Sequence, residues 1–220
     1  MVTVNGIGWI NKAEYGCILR NIRIAYDDKS RLKKEIFTSS YKNFGRIDNA
    51  SRITCYAAAL ALKDAGIEYS QNRKQDIGVI GTNSRGSLET DINYFMDYID
   101  SNRTSSRGNL FIYTLPTSPL GEAAIRFGLQ GPLLYIAASD NSLLPVIETA
   151  AEMILLDEST VMLAGMSREE EAVYFVLKKD SGSGQDVLCN VETAMSILRG
   201  SRALDEMLKE FSVLGKGENQ

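Results

Sequence analysis

The sequence predicts an α/β fold: a five-stranded, mixed but mostly parallel sheet flanked by helices on both faces. Three observations carry this. Five short runs of β-branched or aliphatic residues, bounded by Gly, Ser, Asp or Pro, read as buried strands. Segments of helical periodicity lie between them, and strands that alternate with helices build largely parallel sheets. The 220 residues are 44% hydrophobic and 24% charged, which is enough apolar mass for one core.

The strands are expected at residues 2–7, 77–82, 133–137, 160–164 and 172–177. The charged stretch 28–43 reads as a surface excursion with a short helix over 30–36. Residues 50–65 carry Ile53, Tyr56, Ala57, Leu60 and Ala61 at helical spacing, and Gly66 stops the run. Leu88, Ile92, Phe95 and Ile99 fall in step over 87–99. A short helix over 120–127 ends at Gly128. Residues 142–156 form the most apolar helix, with Pro145 tolerable in its first turn. A Ser/Gly break at 180–184 separates an α/β domain (1–180) from a helical appendage (185–214), in which Leu204, Met207, Leu208 and Phe211 share one face. Residues 215–220 read as a flexible tail.

Composition narrows the function classes. Lys plus Arg is 24 and Asp plus Glu is 28, a net charge of −4, so the chain lacks the basic footprint of a nucleic-acid binder. It has no histidine, which excludes any triad, dyad or metal site needing an imidazole from this chain. Cys17, Cys55 and Cys189 show no CxxC spacing and read as reduced thiols of a cytoplasmic protein, not as a zinc site. The first sixteen residues lack the basic and apolar regions of a signal peptide. Glu148 and Glu152 interrupt the longest apolar stretch, so no membrane span is expected. Neither a cofactor nor a metal is expected.

Four segments carry possible chemistry. Gly81 to Gly86 has the glycine spacing of a phosphate loop and is followed by Ser87, but the lysine such a loop carries is missing. A tight strand-to-helix turn with Ser87 as N-cap is the simpler expectation. The basic run 29–34 could meet an acidic partner such as an acyl carrier protein, though such runs are more often a solvated face. The carboxylates after Arg168 read as a charged loop. At 138–142 a strand turns sharply into the apolar helix. This corner places Ser139, Asp140, Asn141 or Ser142 at a helix N-terminus, where each can cap and where the macrodipole favours an anion. No histidine is available to activate either serine.

These residues resemble the N-terminal half of a β-ketoacyl synthase, a member of the thiolase-like superfamily. Val-Asn-Gly-Ile-Gly at 4–8 resembles the family's opening strand. Arg-Ile-Asp-Asn-Ala-Ser at 46–51, and the Ala-rich run 57–66 ending Lys-Asp-Ala-Gly, resemble its first long helix. Asp-Ile-Gly-Val-Ile-Gly-Thr at 76–82 is similar to the second strand, with Gly-Ser-Leu-Glu-Thr at 86–90 in place of the following turn. The most specific likeness is Leu-Pro-Thr-Ser-Pro-Leu-Gly at 115–121 followed by Ala-Ala-Ile-Arg-Phe-Gly-Leu-Gln-Gly-Pro at 123–132, the lead-in to the nucleophile. Met-Leu-Ala-Gly at 162–165 and Glu-Glu-Ala-Val-Tyr-Phe-Val-Leu at 170–177 resemble the two closing strands.

The resemblance implies a thiolase-like half-fold whose nucleophile position, counted from Gly131-Pro132, falls on Asp140 in place of cysteine. The half of the fold that supplies two histidines is not in this sequence. The segment between the closing strands is reduced to 166–169. The expected function is therefore a catalytically silent synthase-like subunit or scaffold of fatty-acid or polyketide-type biosynthesis, akin to a chain-length factor. It would form a homodimer, or a heterodimer with a full-length ketosynthase, through the edge strand Leu133, Leu134, Tyr135, Ile136 and Ala137. An acyl carrier protein is a possible further partner. Two alternatives stand beside it: an acyl-thioester enzyme with a site remodelled around Ser139 and Asp140, and an acyl-chain or small-molecule binding module. In any of these, something must cover the apolar helix 142–156.

Overall fold

The central strand β1 (Val2–Ile10) is buried at every position because the sheet continues on both its sides. The computed structural model describes the chain except residues 39–40, 84, 106, 138–141, 169, 181, 183–186, 202 and 218–220, and the side chains of 216–217. Beside β1 runs a hairpin of β2 (Glu14–Cys17) and β3 (Ile22–Ala25). On its other side stand β7 (Ala172–Lys179), β6 (Val161–Ser167), β4 (Gly78–Asn83) and β5 (Leu133–Tyr135), in that order. The two-residue β8 (Cys189–Asn190) also pairs with β1.

The fold is α/β with a mixed sheet, as expected, but the sheet has eight strands instead of five, and only the β4–β5 and β4–β6 pairs are parallel. The remaining pairs are antiparallel. The reason is local. Residues 168–171 are too few for a crossover, so β6 and β7 can only form a hairpin. The β2–β3 hairpin shows no apolar run, because Arg23, Ile24 and Ala25 face solvent.

Two apolar layers sandwich the sheet. One face carries α1 (Lys29–Ile36), α2 (Asn49–Asp64) and α5 (Ser118–Phe127). The other carries α6 (Leu144–Leu155), α7 (Val191–Gly200) and α8 (Leu204–Gly217). The last of these runs past the expected end of its helix. Between α2 and α5 in sequence, α3 (Leu88–Asp100) and the short α4 (Gly108–Phe111) form an arm.

Alternation along β1 sends Ile7 and Trp9 to the α6 side and leaves Gly6 and Gly8 facing α2. A Cβ on Gly8 would stand 2.1 Å from the Ala61 nitrogen, so the alanine-rich middle of α2 lies directly on the strand. The Asp64 carboxylate at the end of α2 then accepts the N–H groups of Ile7, Leu19 and Arg20 at 2.8, 3.1 and 2.9 Å.

The α6 helix is buried on one side only, through Val146, Ile147, Ala150, Ala151 and Ile154, while Leu155 and Leu156 reach solvent. The sequence suggested burial on most sides. The cover is supplied within the chain by α7 and α8. The arginine of Arg199 pairs with Glu148 at 3.2 Å, and the Phe211 ring stands edge-on to Phe175 at 5.4 Å. Among the described residues, no helix is long and apolar enough to cross a membrane.

Candidate functional site

The parallel strands β4, β5 and β6 end together, and the site grows from those ends. Beyond β5 the ladder continues for one bond, from Ile136 N–H to the Gly81 carbonyl at 2.9 Å. Ser139, Asp140 and Asn141 lie outside the described residues. Ser142 stands just before α6, where its hydroxyl oxygen accepts the Leu144 N–H at 3.2 Å; the N-cap position itself is Leu143 and carries no side-chain cap.

A cavity of about 250 Å³ opens at this corner. Leu143, Leu144, Met166, Leu198, Leu204 and Met207 give it apolar walls, and Ser142, Ser201 and Arg168 are its polar groups. The walls from α7 and α8 belong to the C-terminal segment. One residue here was not singled out from the sequence. Thr82, near the end of β4, alternates with Ile80 toward the α6 face, is 3% exposed, and its hydroxyl has no hydrogen-bond partner among the described residues. A polar residue closing an otherwise apolar strand was its only signal.

The charged loop behaves as the simpler expectation held. Arg168 pairs with Glu171 at 3.0 Å across the β6–β7 hairpin. Glu170 receives Lys12 at 3.1 Å and Lys29 at 2.9 Å, and these two cations hold its carboxyl below the usual range. Within the basic run, Lys29 takes Glu170, and the Lys33 ammonium donates to the Tyr41 carbonyl at 2.8 Å. β4 ends at Asn83 and α3 starts at Leu88, but Ser87 does not cap α3; its hydroxyl donates to Asp91 at 2.9 Å.

None of the cysteines has the environment of a nucleophile. Burial and the Asp64 carboxylate push the Cys17 thiol up to about 12. Burial raises Cys189 to about 12 and drives Cys55 upward as well. Among the described residues, no cluster of three His, Cys, Asp or Glu could hold a metal ion.

Among the described residues, the outer side of β5 has no neighbouring strand, and Leu134 there is 37% exposed. The arm beside it is more open still. No residue of α3 is buried; Leu88, Ile92, Phe95 and Met96 are each more than half exposed, as are Phe111, Ile112 and Leu115. The apolar stripe expected of an amphipathic helix is therefore present without a cover from the described residues.

Residues 16–176 match the family described as "Beta-ketoacyl synthase, N-terminal domain". The fold is similar to a β-ketoacyl synthase from Burkholderia phymatum STM815, with a TM-score of 0.63 and 19% identity over 85% of this chain and 62% of that one. It is also similar to the ishigamide ketosynthase/chain length factor, with a TM-score of 0.63 and 14% identity over 85% of this chain and 64% of the other. A type II polyketide acyl-carrier protein in complex with its ketosynthase gives a TM-score of 0.62 at 13% identity, over 85% of this chain and 60% of that one. At these identities the likeness is one of fold, and the chain spans less than two thirds of the length of these structures. A search of curated protein sequences found no significant match.

Proposed function

This chain belongs to the β-ketoacyl synthase family through its N-terminal domain, and from that premise we propose that it is a non-condensing partner subunit of a ketosynthase in fatty-acid or polyketide-type biosynthesis. The observation that carries this is chemical. Counted from Gly131-Pro132 as the family resemblance implies, the nucleophile position falls on Asp140 in place of cysteine; the chain contains no histidine, and burial raises the thiol pKa values of its three cysteines. A carboxylate is a poor nucleophile toward a thioester.

The partner surface in this reading is the open edge of β5 together with the apolar arm. An unpaired edge strand is a template for strand addition, and an apolar patch of this kind on a soluble chain marks an interface. The ishigamide ketosynthase/chain length factor among the similar structures favours a ketosynthase as occupant over a second copy. The test is co-expression with candidate full-length ketosynthases, followed by sizing and light scattering. A one-to-one complex that is lost in Leu134→Pro supports the reading. Acyl-chain extension by the purified chain alone, or exclusive self-association, overturns it.

The cavity at the start of α6, with Leu143, Leu144, Leu198, Leu204 and Met207 in its wall, favours a second reading, a binding module for an acyl chain or another small molecule. Native mass spectrometry of freshly purified protein tests it. A co-purified ligand lost in Met207→Trp supports this reading, and protein that stays empty when offered fatty acids removes it.

A further inference from the structure

The outer face of α3 carries an apolar stripe with carboxylate margins, and we infer that it docks in an apolar groove rimmed by lysine or arginine on a different protein. This rests on the proposed role of the arm as a partner surface and names the chemistry of what sits there. Leu88, Ile92, Phe95 and Met96 recur at i, i+4, i+7 and i+8, so one helix face holds all four, and each is more than half exposed. The same helix carries Glu89, Asp91, Asp97 and Asp100 and neither lysine nor arginine. At about 100° per residue, Glu89 and Asp100 fall on one margin of the stripe and Asp91 on the other. Glu89 and Asp100 are exposed, while Asp97 turns away from the stripe to pair with Arg107.

The stripe is presented ready-made. Behind it the Tyr94 ring lies 5.7 Å from Phe111, and Arg107, just before α4, reaches Asp97 at 2.8 Å. The Tyr113 hydroxyl donates to Glu122 of α5 at 3.1 Å, which ties the arm to the α2 side of the sheet. A braced helix has little freedom left to lose on docking, so its contact area converts to affinity at a small ordering cost. Its 13 residues span about 20 Å, a length over which a helix laid in a groove can seat anchors from three successive turns.

Charge decides among the occupants. Two copies packed stripe to stripe would set carboxylate margins against carboxylate margins, and like charges brought together oppose association. The basic helix α1 of a second copy offers no groove, because its apolar residues Leu32 and Ile36 are buried within their own chain. Helices that lie on membranes carry lysine and arginine on the polar face and are drawn to anionic lipid, whereas these margins would be repelled by it. A groove with an apolar floor and a basic rim satisfies both the stripe and its margins.

The probe is a fluorescein-labelled amphipathic peptide of leucine and lysine, with leucine at helical spacing, titrated with the full chain by fluorescence anisotropy beside its leucine–glutamate analogue. The expected result is saturable one-to-one binding of the lysine peptide alone, weakened as salt rises. Glu89→Lys/Asp100→Lys and Phe95→Ser should each lose about tenfold or more in affinity while circular dichroism stays unchanged. Glu158→Lys/Glu210→Lys, an equal charge change at exposed positions away from the arm, should bind like the wild type. Absence of saturable binding, equal binding of the two peptides, or an unchanged affinity in the charge-reversed chain overturns the inference. So does self-association relieved by Phe95→Ser, or partition of the chain onto phosphatidylcholine–phosphatidylglycerol vesicles. A ketosynthase complex that ignores the charge reversal would overturn the inference and leave the proposed function standing; peptide binding as expected without any ketosynthase complex would do the reverse.

Discussion

The Asp64 carboxylate accepts the Ile7 N–H at 2.8 Å, so the last residue of α2 is tied to the middle of β1. The same carboxylate takes two amides from the turn between β2 and β3, those of Leu19 and Arg20. One side chain thus fixes a helix, a central strand and a hairpin. Asp64→Ala leaves buried donors without acceptors and is expected to lower stability by about 3 kcal/mol. Asp64→Asn keeps an acceptor and should lose less. Urea unfolding midpoints of the three proteins decide this; an Ala variant as stable as the wild type refutes it.

The same group gives a pH dependence of defined sign. Burial raises its pKa above the ordinary 3.8, and the three amides offset only part of that. An acid with a raised folded pKa holds its proton more tightly in the native state. Its stabilising contribution is then present below the unfolded value and is lost as pH climbs through the folded value. The stability of the wild type relative to Asp64→Asn should therefore decline as pH rises from about the ordinary carboxylate value toward neutrality. A relative stability that grows over that range contradicts it.

Gly8 offers a sharper mutational test. Its missing side chain is what lets α2 lie on β1, since a Cβ would meet the Ala61 nitrogen at 2.1 Å and the Ala57 oxygen at 2.5 Å. These are backbone atoms that cannot rotate away. Gly8→Ala should cost about 3 kcal/mol or prevent folding, in line with overpacking of a tight core. Gly45→Ala, where nothing lies within 4 Å, is the matched control.

Most elements were legible because their periodicity survives burial. The α2 helix was bounded to within one residue by its alanine run and Gly66, and the starts of β6 and β7 by their aliphatic content, though both strands run on past their expected ends to Ser167 and Lys179. The β2–β3 hairpin was not, since β3 is exposed on three of its four residues and its register comes from pairing with β1. Strand direction was misjudged for a related reason: alternation says where a strand is, while the length of the connection says which way it runs. At the site, the apolar helix that follows Ser142 was legible from its aliphatic content. The approach of Leu198, Leu204 and Met207 to Ser142 was not, because it depends on where α7 and α8 dock.

The cysteines give a chemical prediction. With thiol pKa values raised by burial, the thiolate fraction at pH 8 is very small. Iodoacetamide at that pH should leave the native protein essentially unmodified over a time in which free cysteine reacts completely. The unfolded chain should take up three equivalents, one for each cysteine. Rapid labelling of one native cysteine would reveal an activated thiol and reopen thiol catalysis.

The exposed stripe on α3 separates folding from association. Ile92 and Phe95 are 53% and 59% exposed, and their helix contributes no buried residue to the core. Replacing either by Glu removes little packing within the chain, so Ile92→Glu and Phe95→Glu should shift unfolding stability by no more than about 0.5 kcal/mol. A charge placed in a buried interface has the opposite weight, because it must be desolvated without a partner. The two variants should therefore abolish any complex with a ketosynthase while circular dichroism and the unfolding midpoint stay unchanged. Analytical sizing of the mixtures reads the first effect and urea titration the second. Variants that unfold would place α3 in the core, and variants that still form the complex would move the interface away from this arm.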